Sequence, residues 1–258
     1  MLLTIDLGNT SAKFAIFDGN QQICFLNIDS KQDDYTAIIK NFLYRNNLKE
    51  DLIEDVIISS VVPNISKVLE KVILNVFNKE AIFISPSNDY GIKIETENIE
   101  EVGSDLLVMC AYAYHLFKQE LLVVSLGTAS VICHVDNEGS FKHCIISPGY
   151  GKIAETLWGN AAKLPEFELK RTLTFLANNT VDAMNVGIYQ GYIGTIRYLL
   201  TGIKAELNKE PKIVACGGFG KEIVKDIKEI EYYEADMVTS GLHYIYNRYI
   251  KNEINTGI

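Results

Sequence analysis

The chain has 258 residues, of which 48% are hydrophobic and 22% are charged. This length suits two domains of ordinary size, or one large domain with a sizeable core. The formal net charge is −9, from 24 basic and 33 acidic side chains. That balance argues against nucleic acid as a partner, because proteins that bind a phosphate backbone need clustered Lys and Arg. A small anionic ligand stays compatible with it, since local donor groups decide such binding.

The sequence also contains no membrane or secretion signal. No segment approaches the roughly 20 apolar residues that a membrane-spanning helix needs, and the N-terminus reaches Asp6 and Gly8 too early for a signal peptide. Five cysteines, an odd number in a chain of this size, indicate buried thiols rather than a disulfide framework. We therefore expect a cytoplasmic protein without a membrane partner.

The first predicted elements are two apolar strands, Leu2–Leu7 and 14–17, joined by a polar turn. The turn could bind a metal-bound polyphosphate, because it offers a carboxylate, converging backbone N–H groups, hydroxyls and an ammonium group. By itself a Gly-Asn pair is equally an ordinary hairpin turn. The polar residues of this first turn are Asp6, Gly8, Asn9, Thr10, Ser11 and Lys13.

The next segments alternate helices and strands. Residues 35–44 carry an apolar stripe at helical spacing, and 56–62 form an apolar run typical of a strand that is buried on both faces. Pro63 ends that run and can begin a helix, and residues 81–84 form a further short strand. Alternating strands and helices predict the α/β class.

A polar, acidic stretch from 85 to 101 has no periodicity, and loops of that length are often binding loops. It leads to Gly103-Ser104-Asp105 and then to an apolar helix over 106–117. Asp105 therefore stands in the first helical turn, where Asp is common as a cap or as a partner of the helix dipole.

The turn motif then recurs. Residues 121–130 lie over residues 2–11 at a constant offset that places Gly127 on Gly8, and Thr128 follows Gly127. Each copy continues with a strand, a polar turn that contains Gly, and another strand. A duplicated turn of phosphate size favours a nucleotide clamped between two related lobes, 1–118 and 119–258, over a pair of ordinary hairpins.

In the second hairpin, a turn centred on 138–139 makes Cys133 face Cys144 and His134 face His143. Side chains alternate faces along a strand, so the cysteines and the histidines point in opposite directions. These four residues therefore do not predict a metal site.

The rest of the second half carries glycine-rich elements. A helix contains Gly187, Gly191 and Gly194 on one face, which predicts close packing of another backbone or a ligand. A strand at 213–216 meets a Gly-Gly turn where an adenosine could lie. Helices are predicted over 221–230 and 235–250.

Taken in order, these motifs resemble the type III pantothenate kinases of bacteria, which are members of the hexokinase, acetate kinase and actin superfamily. The resemblance covers nearly the whole chain. It implies two related ribonuclease-H-like (actin-like) lobes, each a mixed sheet flanked by helices. The matching segments are 6–13, 59–63, 101–105, 126–129, 148–149, 162–165, 179–180, 187–194 and 217–218.

The resemblance implies an enzyme that transfers the γ-phosphoryl group of ATP to pantothenate, the first step toward coenzyme A. Asp105 would accept the proton of the substrate hydroxyl, with Gly103 and Ser104 beside it in the substrate site, and Thr180 would reach pantothenate across a homodimer interface. Asp6 would help hold magnesium. The family also uses a monovalent cation, potassium or ammonium. The phosphate contacts would come from Gly8, Asn9, Thr10, Lys13, Gly127 and Thr128.

The chain departs from the family pattern at several positions. Ser125 stands where the family has an Asp associated with the monovalent cation, and Leu106 replaces an Arg. Thr96 and Ile99 stand where the family has Tyr and Pro, and 143–144 replace a Gly-Gly pair. Two alternatives follow: a kinase of another small hydroxylated substrate, and a non-catalytic nucleotide-binding homologue.

Overall fold

The computed structural model describes residues 1–159 and 167–251. Contacts divide the chain into two compact units: unit 1 is Met1–Leu116 with the C-terminal helix from Met237, and unit 2 is Phe117–Asp236. The sequence-based division into 1–118 and 119–258 differs from this at the C-terminal helix. That helix belongs to unit 1 because it packs against the first, second and fourth strands of the chain.

Unit 1 is built on a mixed sheet. The strands of this sheet are β1 (Leu2–Leu7), β2 (Ser11–Asp18), β3 (Gln21–Asp29), β4 (Asp55–Ser60) and β5 (Ile82–Phe83). The unit also contains the short strand β6 (Lys93–Ile94), which is not part of this sheet. Its helices are α1 (Tyr35–Arg45), α2 (Pro63–Phe77), α3 (Ser104–Phe117) and α7 (Met237–Ile245). The sheet order is β3-β2-β1-β4-β5, in which β1 runs antiparallel to β2 and parallel to β4.

The core of unit 1 explains why these elements form. Alternate residues of β1 pack with β2, α1 and α2, while β4 is buried along its apolar run, as its sequence predicts. The carboxylate of Asp34 accepts the Ala37 N–H at 2.9 Å and caps α1. Pro63 occupies the first turn of α2.

Unit 2 repeats this topology. Its strands are β7 (Leu121–Leu126), β8 (Ala129–Val135), β9 (Ser140–Pro148), β10 (Lys212–Cys216) and β11 (Tyr232–Glu234). Its helices are α4 (Tyr150–Gly159), α5 (Thr180–Leu207) and α6 (Gly220–Ile223). The strands lie in the order β9-β8-β7-β10-β11, and β7 is antiparallel to β8 and parallel to β10. Strand for strand this matches unit 1, so the predicted duplication and the α/β class are confirmed.

The register of the second hairpin is also as predicted. Cys133 pairs with Cys144 and His134 pairs with His143 across β8 and β9. The two imidazole rings stack with their centroids 5.7 Å apart. The cysteines are free thiols, of which Cys133 is buried and Cys144 is exposed.

One helix prediction is wrong in extent. In place of a helix over 221–230, α6 ends at Ile223 and a 3-10 turn covers Val224–Asp226. Two guanidinium N–H groups of Arg171 donate to the Asp226 carboxylate at 2.6 and 2.7 Å, and the Tyr189 hydroxyl donates to it at 2.5 Å. These bonds hold Asp226 to residues from other parts of the chain. The periodicity of residues 221–230 contains no information about such contacts. The C-terminal helix ends as a π-helical turn over Tyr246–Ile250.

The glycine face of α5 corrects a further prediction. Within the described ranges, no heavy atom outside the neighbouring helix backbone lies within 4 Å of a β-carbon placed on Gly187, Gly191 or Gly194. These glycines therefore form an open face among the described residues, none of which makes the close packing predicted for them. The predicted 162–165 motif lies outside the described residues. No helix that the structure describes has the length and apolar character needed to cross a bilayer.

A buried ion network ties the start of β7 to β8 and to the end of α5. The Glu120 carboxylate lies 2.9 Å from His134 Nε2 and 2.9 Å from Lys209 Nζ. Burial raises the pKa of Glu120, but hydrogen bonds from Lys209 and His134 outweigh it, so the pKa lies below the usual value.

Replacing Glu120 with Gln is expected to lower the free energy of unfolding by about 2 kcal/mol at pH 7, since two partners lose a charged acceptor. Because the folded-state pKa is lowered, this stabilisation is complete above the unfolded-state pKa of about 4.3 and disappears as the pH falls through the folded-state pKa. Urea unfolding at pH 7 and near pH 3.5 measures it. Glu138→Gln, at an exposed position of the same hairpin, should change stability at neither pH. A loss of equal size at both pH values would contradict the assignment.

Candidate active site

The first glycine turn of unit 1 is held in place by its own backbone and by Ser30. Gly8 N–H donates to the Ser11 carbonyl at 2.9 Å. The Ser30 N–H donates to the Thr10 carbonyl at 3.0 Å, and its hydroxyl donates to the Asn9 carbonyl at 2.9 Å. Sequence reasoning missed Ser30, because a single Ser after a strand carries no motif. Its bonds anchor the carbonyl side of the turn.

Asp6 and Lys13 lie opposite each other across β1 and β2, next to this turn. Lys13 Nζ is 3.7 Å from Asp6 Oδ2, and both side chains are largely buried. The contact is an ion pair that is longer than a hydrogen bond. The carboxylate of Asp6 thus lies just before the turn, and the ammonium group of Lys13 lies just after it.

Asp105 lies in the first turn of α3, as predicted. Its Oδ1 accepts the Leu106 N–H at 2.9 Å. A β-carbon placed on Gly103 would lie 2.4 Å from the same oxygen, so glycine leaves the space that the carboxylate occupies. Burial raises the pKa of Asp105, and the bond from Leu106 and the charge of Lys13 offset this only in part. The carboxylate is therefore a better proton acceptor than an exposed Asp.

The long loop before α3 carries a residue that the sequence analysis missed. Tyr90 is 1% exposed, and its hydroxyl donates to the Ser85 carbonyl at 2.7 Å. Burial, together with the negative charge of Asp105, raises the pKa of Tyr90. The phenol thus stays neutral in the electrostatic field of Asp105.

Two buried hydroxyls adjoin the start of α3. Ser59 Oγ, on β4, lies 2.9 Å from Ser104 Oγ, on the first residue of the helix. The parallel register of β1 and β4 places Ser59 beside Asp6. The side chain of Ser104 is therefore directed into the protein and contacts Ser59.

In unit 2, the second glycine turn contacts two other turns. Gly149 N–H donates to the Thr128 carbonyl at 3.1 Å, and a β-carbon on Gly149 would lie 2.2 Å from the Gly127 carbonyl oxygen. Gly217 has φ +101°, and a β-carbon there would lie 2.5 Å from the Leu126 carbonyl oxygen. Three glycine turns that are distant in the sequence thus come together at the carboxyl end of β7.

The two copies of the motif differ in register. In unit 1, Leu7 pairs with Ala12, whereas Leu126 pairs with Ser130 in unit 2, so the second turn is one residue shorter. Ser125 takes the place that Asp6 has in unit 1.

The neighbours of Ser125 are Val131 on β8 and Cys216 on β10. Neither of them supplies a carboxylate. Ser125 itself offers one neutral oxygen, so this position and its two strand partners lack the charged oxygen ligand that the resemblance associates with the monovalent cation.

Thr180 is the exposed first residue of α5, and the Asn179 side chain caps that helix by accepting the Asp182 N–H at 2.9 Å. Thr180 lines an open groove of about 920 Å³ between α4 and α5. Most of the lining is apolar and includes Ile153, Leu157, Met184 and Ile188.

Several known proteins are similar to this chain over nearly its whole length. A family model described as type III pantothenate kinase matches residues 2–201. Proteins named type III pantothenate kinase from Agathobacter rectalis and Geobacter sulfurreducens are each 34% identical, over 96% of this chain and 97% and 99% of their own lengths. A solved structure of an activator of 2-hydroxyisocaproyl-CoA dehydratase from Clostridium difficile, with bound ADPNP, has a TM-score of 0.61 at 12% identity. It covers 100% of this chain and 97% of that one, and it supports the fold alone.

Proposed function

We propose that this chain, which belongs to the type III pantothenate kinase family, uses Asp105 as its catalytic base. The protein is a kinase that transfers a phosphoryl group from ATP to pantothenate, in the first step of coenzyme A biosynthesis. The observation that carries the assignment of Asp105 is its partly buried carboxylate at the start of α3, with a raised pKa and the charge of Lys13 nearby. Such a carboxylate is suited to accept a proton.

In this mechanism, the ionised Asp105 accepts the proton of the primary hydroxyl of pantothenate. The hydroxyl oxygen forms a bond to the γ-phosphorus of ATP while the bond from that phosphorus to the β,γ-bridging oxygen breaks, and ADP leaves with that electron pair. Phosphoryl transfer demands mainly positioning and charge neutralisation from the protein. Gly103 leaves room for the carboxylate, and the start of α3 favours its ionised form.

We assign the phosphate contacts of unit 1 to Gly8, Asn9 and Thr10, whose turn Ser30 anchors, and to Lys13. Asp6 is the residue that would bind the divalent metal, which we propose is magnesium. Magnesium is commonly held by one or two carboxylates together with substrate phosphates and water. The single carboxylate of Asp6 fits that pattern, and the bound ion would neutralise phosphate charge.

We assign the phosphate contacts of unit 2 to Gly127 and Thr128. The turn that contains them is supported by the backbone of Gly149, and the 217–218 turn beside it is the proposed adenosine contact. No step of this mechanism uses a monovalent cation, because Ser125 and its neighbours do not fit one.

A homodimer through the open face of α5 completes the proposal, with Thr180 of one subunit contacting pantothenate bound to the other. Its support is the apolar groove beside Thr180 and the glycine face that meets nothing inside the described chain. Small residues allow two helices to approach closely. We also propose that the protein acts in the cytoplasm.

A coupled assay of ADP release tests the activity and the substrate together. Purified protein with ATP, magnesium and pantothenate should release ADP and form 4'-phosphopantothenate, identified by mass spectrometry. Parallel reactions with polyols and hydroxy acids test Thr96 and Leu106, which depart from the family pattern. Faster turnover of one of those acceptors would contradict pantothenate as the substrate. Omitting potassium and ammonium should leave the rate unchanged.

Gly191→Glu is expected to convert the dimer into a monomer and to lower activity with pantothenate. The added side chain has space in the described subunit, so the fold should persist while the charge repels a partner helix. Sedimentation velocity measures the mass. Ala205→Glu is the control, at another exposed position about 21 Å away along the same helix, and should remain dimeric. A dimeric Gly191→Glu protein would contradict this interface.

A further inference from the structure

The hydrogen bond between Ser59 and Ser104 joins a central strand to the helix that carries Asp105. The two hydroxyl oxygens are 2.9 Å apart, and the residues are 0% and 5% exposed. Ser59 is near the carboxyl end of β4, and Ser104 is the first residue of α3. A bond between buried hydroxyls inside the protein is well ordered, because water does not compete for it.

This bond comes from outside the helix, unlike the other hydrogen bond near the base. The bond from the Leu106 N–H to Asp105 Oδ1 is local, so it moves with α3 and cannot set the position of the helix. Ser59, in contrast, belongs to the sheet and stands beside Asp6 in the parallel register. The Ser59–Ser104 bond thus fixes the start of α3 against β4. This strand pairs with β1, which leads into the first glycine turn.

We propose that Ser59 is a positioning residue, which holds the Asp105 carboxylate in its reactive place through the hydroxyl of Ser104. The inference rests on the proposed role of Asp105 as the base. It also gives the Ser104 hydroxyl a different task from the substrate contact that the family resemblance implies. The hydroxyl pairs with Ser59 inside the protein.

The chain contains a matched control at the next position of the same strand. Ser60 Oγ lies 2.7 Å from Ser66 Oγ, and Ser66 belongs to α2 rather than α3. Ser60→Ala therefore removes a hydroxyl pair of the same chemistry from the same strand end, together with the hydrogen bond that Ser60 Oγ accepts from the Val62 N–H at 3.1 Å. It leaves the attachment of α3 unchanged.

The experiment compares kcat, and KM for both substrates, in Ser59→Ala, Ser104→Ala, the double variant and Ser60→Ala. Each single change in the pair should lower kcat about tenfold and leave KM for ATP within about twofold, because misplacement of the base affects the chemical step. The double variant should lose about tenfold rather than a hundredfold, since both changes remove one bond. Ser60→Ala should retain kcat within about twofold.

The pH dependence of kcat gives a readout that a purely structural role would not change. The charge of Lys13 lowers the pKa of Asp105, and the charge of Asp105 raises the pKa of Tyr90; neither Lys13 nor Tyr90 is altered in these variants. Loosening α3 admits water to the carboxylate and weakens the effect of burial, so the acid limb of the profile should move to lower pH in Ser59→Ala and Ser104→Ala. It should stay in place in Ser60→Ala.

Thermal melts of all four variants show whether each one is folded. If Ser59→Ala does not fold, Ser104→Ala removes the same bond from the other side and decides the question. Equal kcat for Ser59→Ala and Ser60→Ala, or a hundredfold loss in the double variant, would overturn the positioning role. An inactive wild-type protein would overturn the proposed function. An active wild type with unaffected Ser59→Ala and Ser104→Ala variants would overturn only the positioning role of Ser59, so the two failures are distinguishable.

Discussion

Asp105→Asn is expected to lower kcat for pantothenate phosphorylation by about 10³-fold, within the range that positioned general bases contribute. The amide has nearly the same size as the carboxylate but cannot accept the hydroxyl proton. Binding of ATP should persist, because the proposed phosphate contacts lie elsewhere. Single-turnover kinetics and calorimetric titration with ATP separate the two effects. Wild-type kcat in this variant would remove Asp105 from the mechanism.

The same substitution should stabilise the protein at neutral pH. Burial raises the pKa of Asp105 in the folded state, so ionising this carboxylate costs more in the folded protein than in the unfolded chain. That cost is complete above the folded-state pKa and disappears below the unfolded-state pKa of about 3.9. The variant should therefore melt at a higher temperature than the wild type at pH 7, and the gain should vanish near pH 3.5.

Asp34→Asn is the matched control, because it makes the same chemical change at the start of another helix. The Asp34 side chain caps α1, and Asn caps helices about as well as Asp. This variant should keep wild-type kcat and nearly the same melting temperature. A gain in melting temperature equal to that of Asp105→Asn would show that loss of a negative charge, rather than burial, is responsible.

Gly149→Ala is expected to weaken both the ATP site and the fold. The added β-carbon would lie 2.2 Å from the Gly127 carbonyl oxygen and 2.5 Å from that of Thr128, so the second turn must shift. Overpacking of this kind costs about 1–3 kcal/mol, and a 1 Å displacement of a positioning group can cost about 10²-fold in rate. We expect kcat/KM for ATP to fall by about that factor. Steady-state kinetics with varied ATP and urea unfolding measure the two effects.

Gly202→Ala provides the opposite case. Nothing in the described chain lies within 4 Å of a β-carbon at Gly202, and the position is an exposed part of α5. Alanine in a helix interior is more favourable than glycine by up to about 1 kcal/mol. This variant should be slightly more stable and fully active. If Gly149→Ala behaves like Gly202→Ala, the contact between the two turns has no functional importance.

The two glycine turns are related but not equivalent. The first lies beside Asp6 and Lys13, which form an ion pair, and the second follows Ser125 between apolar and thiol neighbours. The one-residue difference in register places Val131 opposite Ser125, where Lys13 stands opposite Asp6 in the first copy. Of the two turns, the first has a carboxylate beside it, that of Asp6, where we propose that the divalent metal binds.

The amino-acid sequence alone was sufficient for the fold class, the duplicated hairpins, the register of Cys133 with Cys144, and the place of Asp105 in the first turn of α3. These features depend on local periodicity, on turn residues and on a repeat, all of which are written in contiguous residues. The family and its activity were also predicted, because several motifs occur in the expected order. The comparisons with relatives of the same length confirm them.

Only the tertiary structure decided which distant residues meet. Ser30 bonds to the first turn, Ser59 to Ser104, and Gly149 to Thr128, and each pair joins segments whose approach depends on the packing of whole strands and helices. The early end of α6 has the same origin, since hydrogen bonds from other elements to Asp226 override local helix propensity. The glycine face of α5 meets nothing among the described residues, and local sequence does not show that either. Sequence periodicity shows which face of an element is apolar. It does not show which surface lies opposite, because that is determined by the three-dimensional packing of the entire unit.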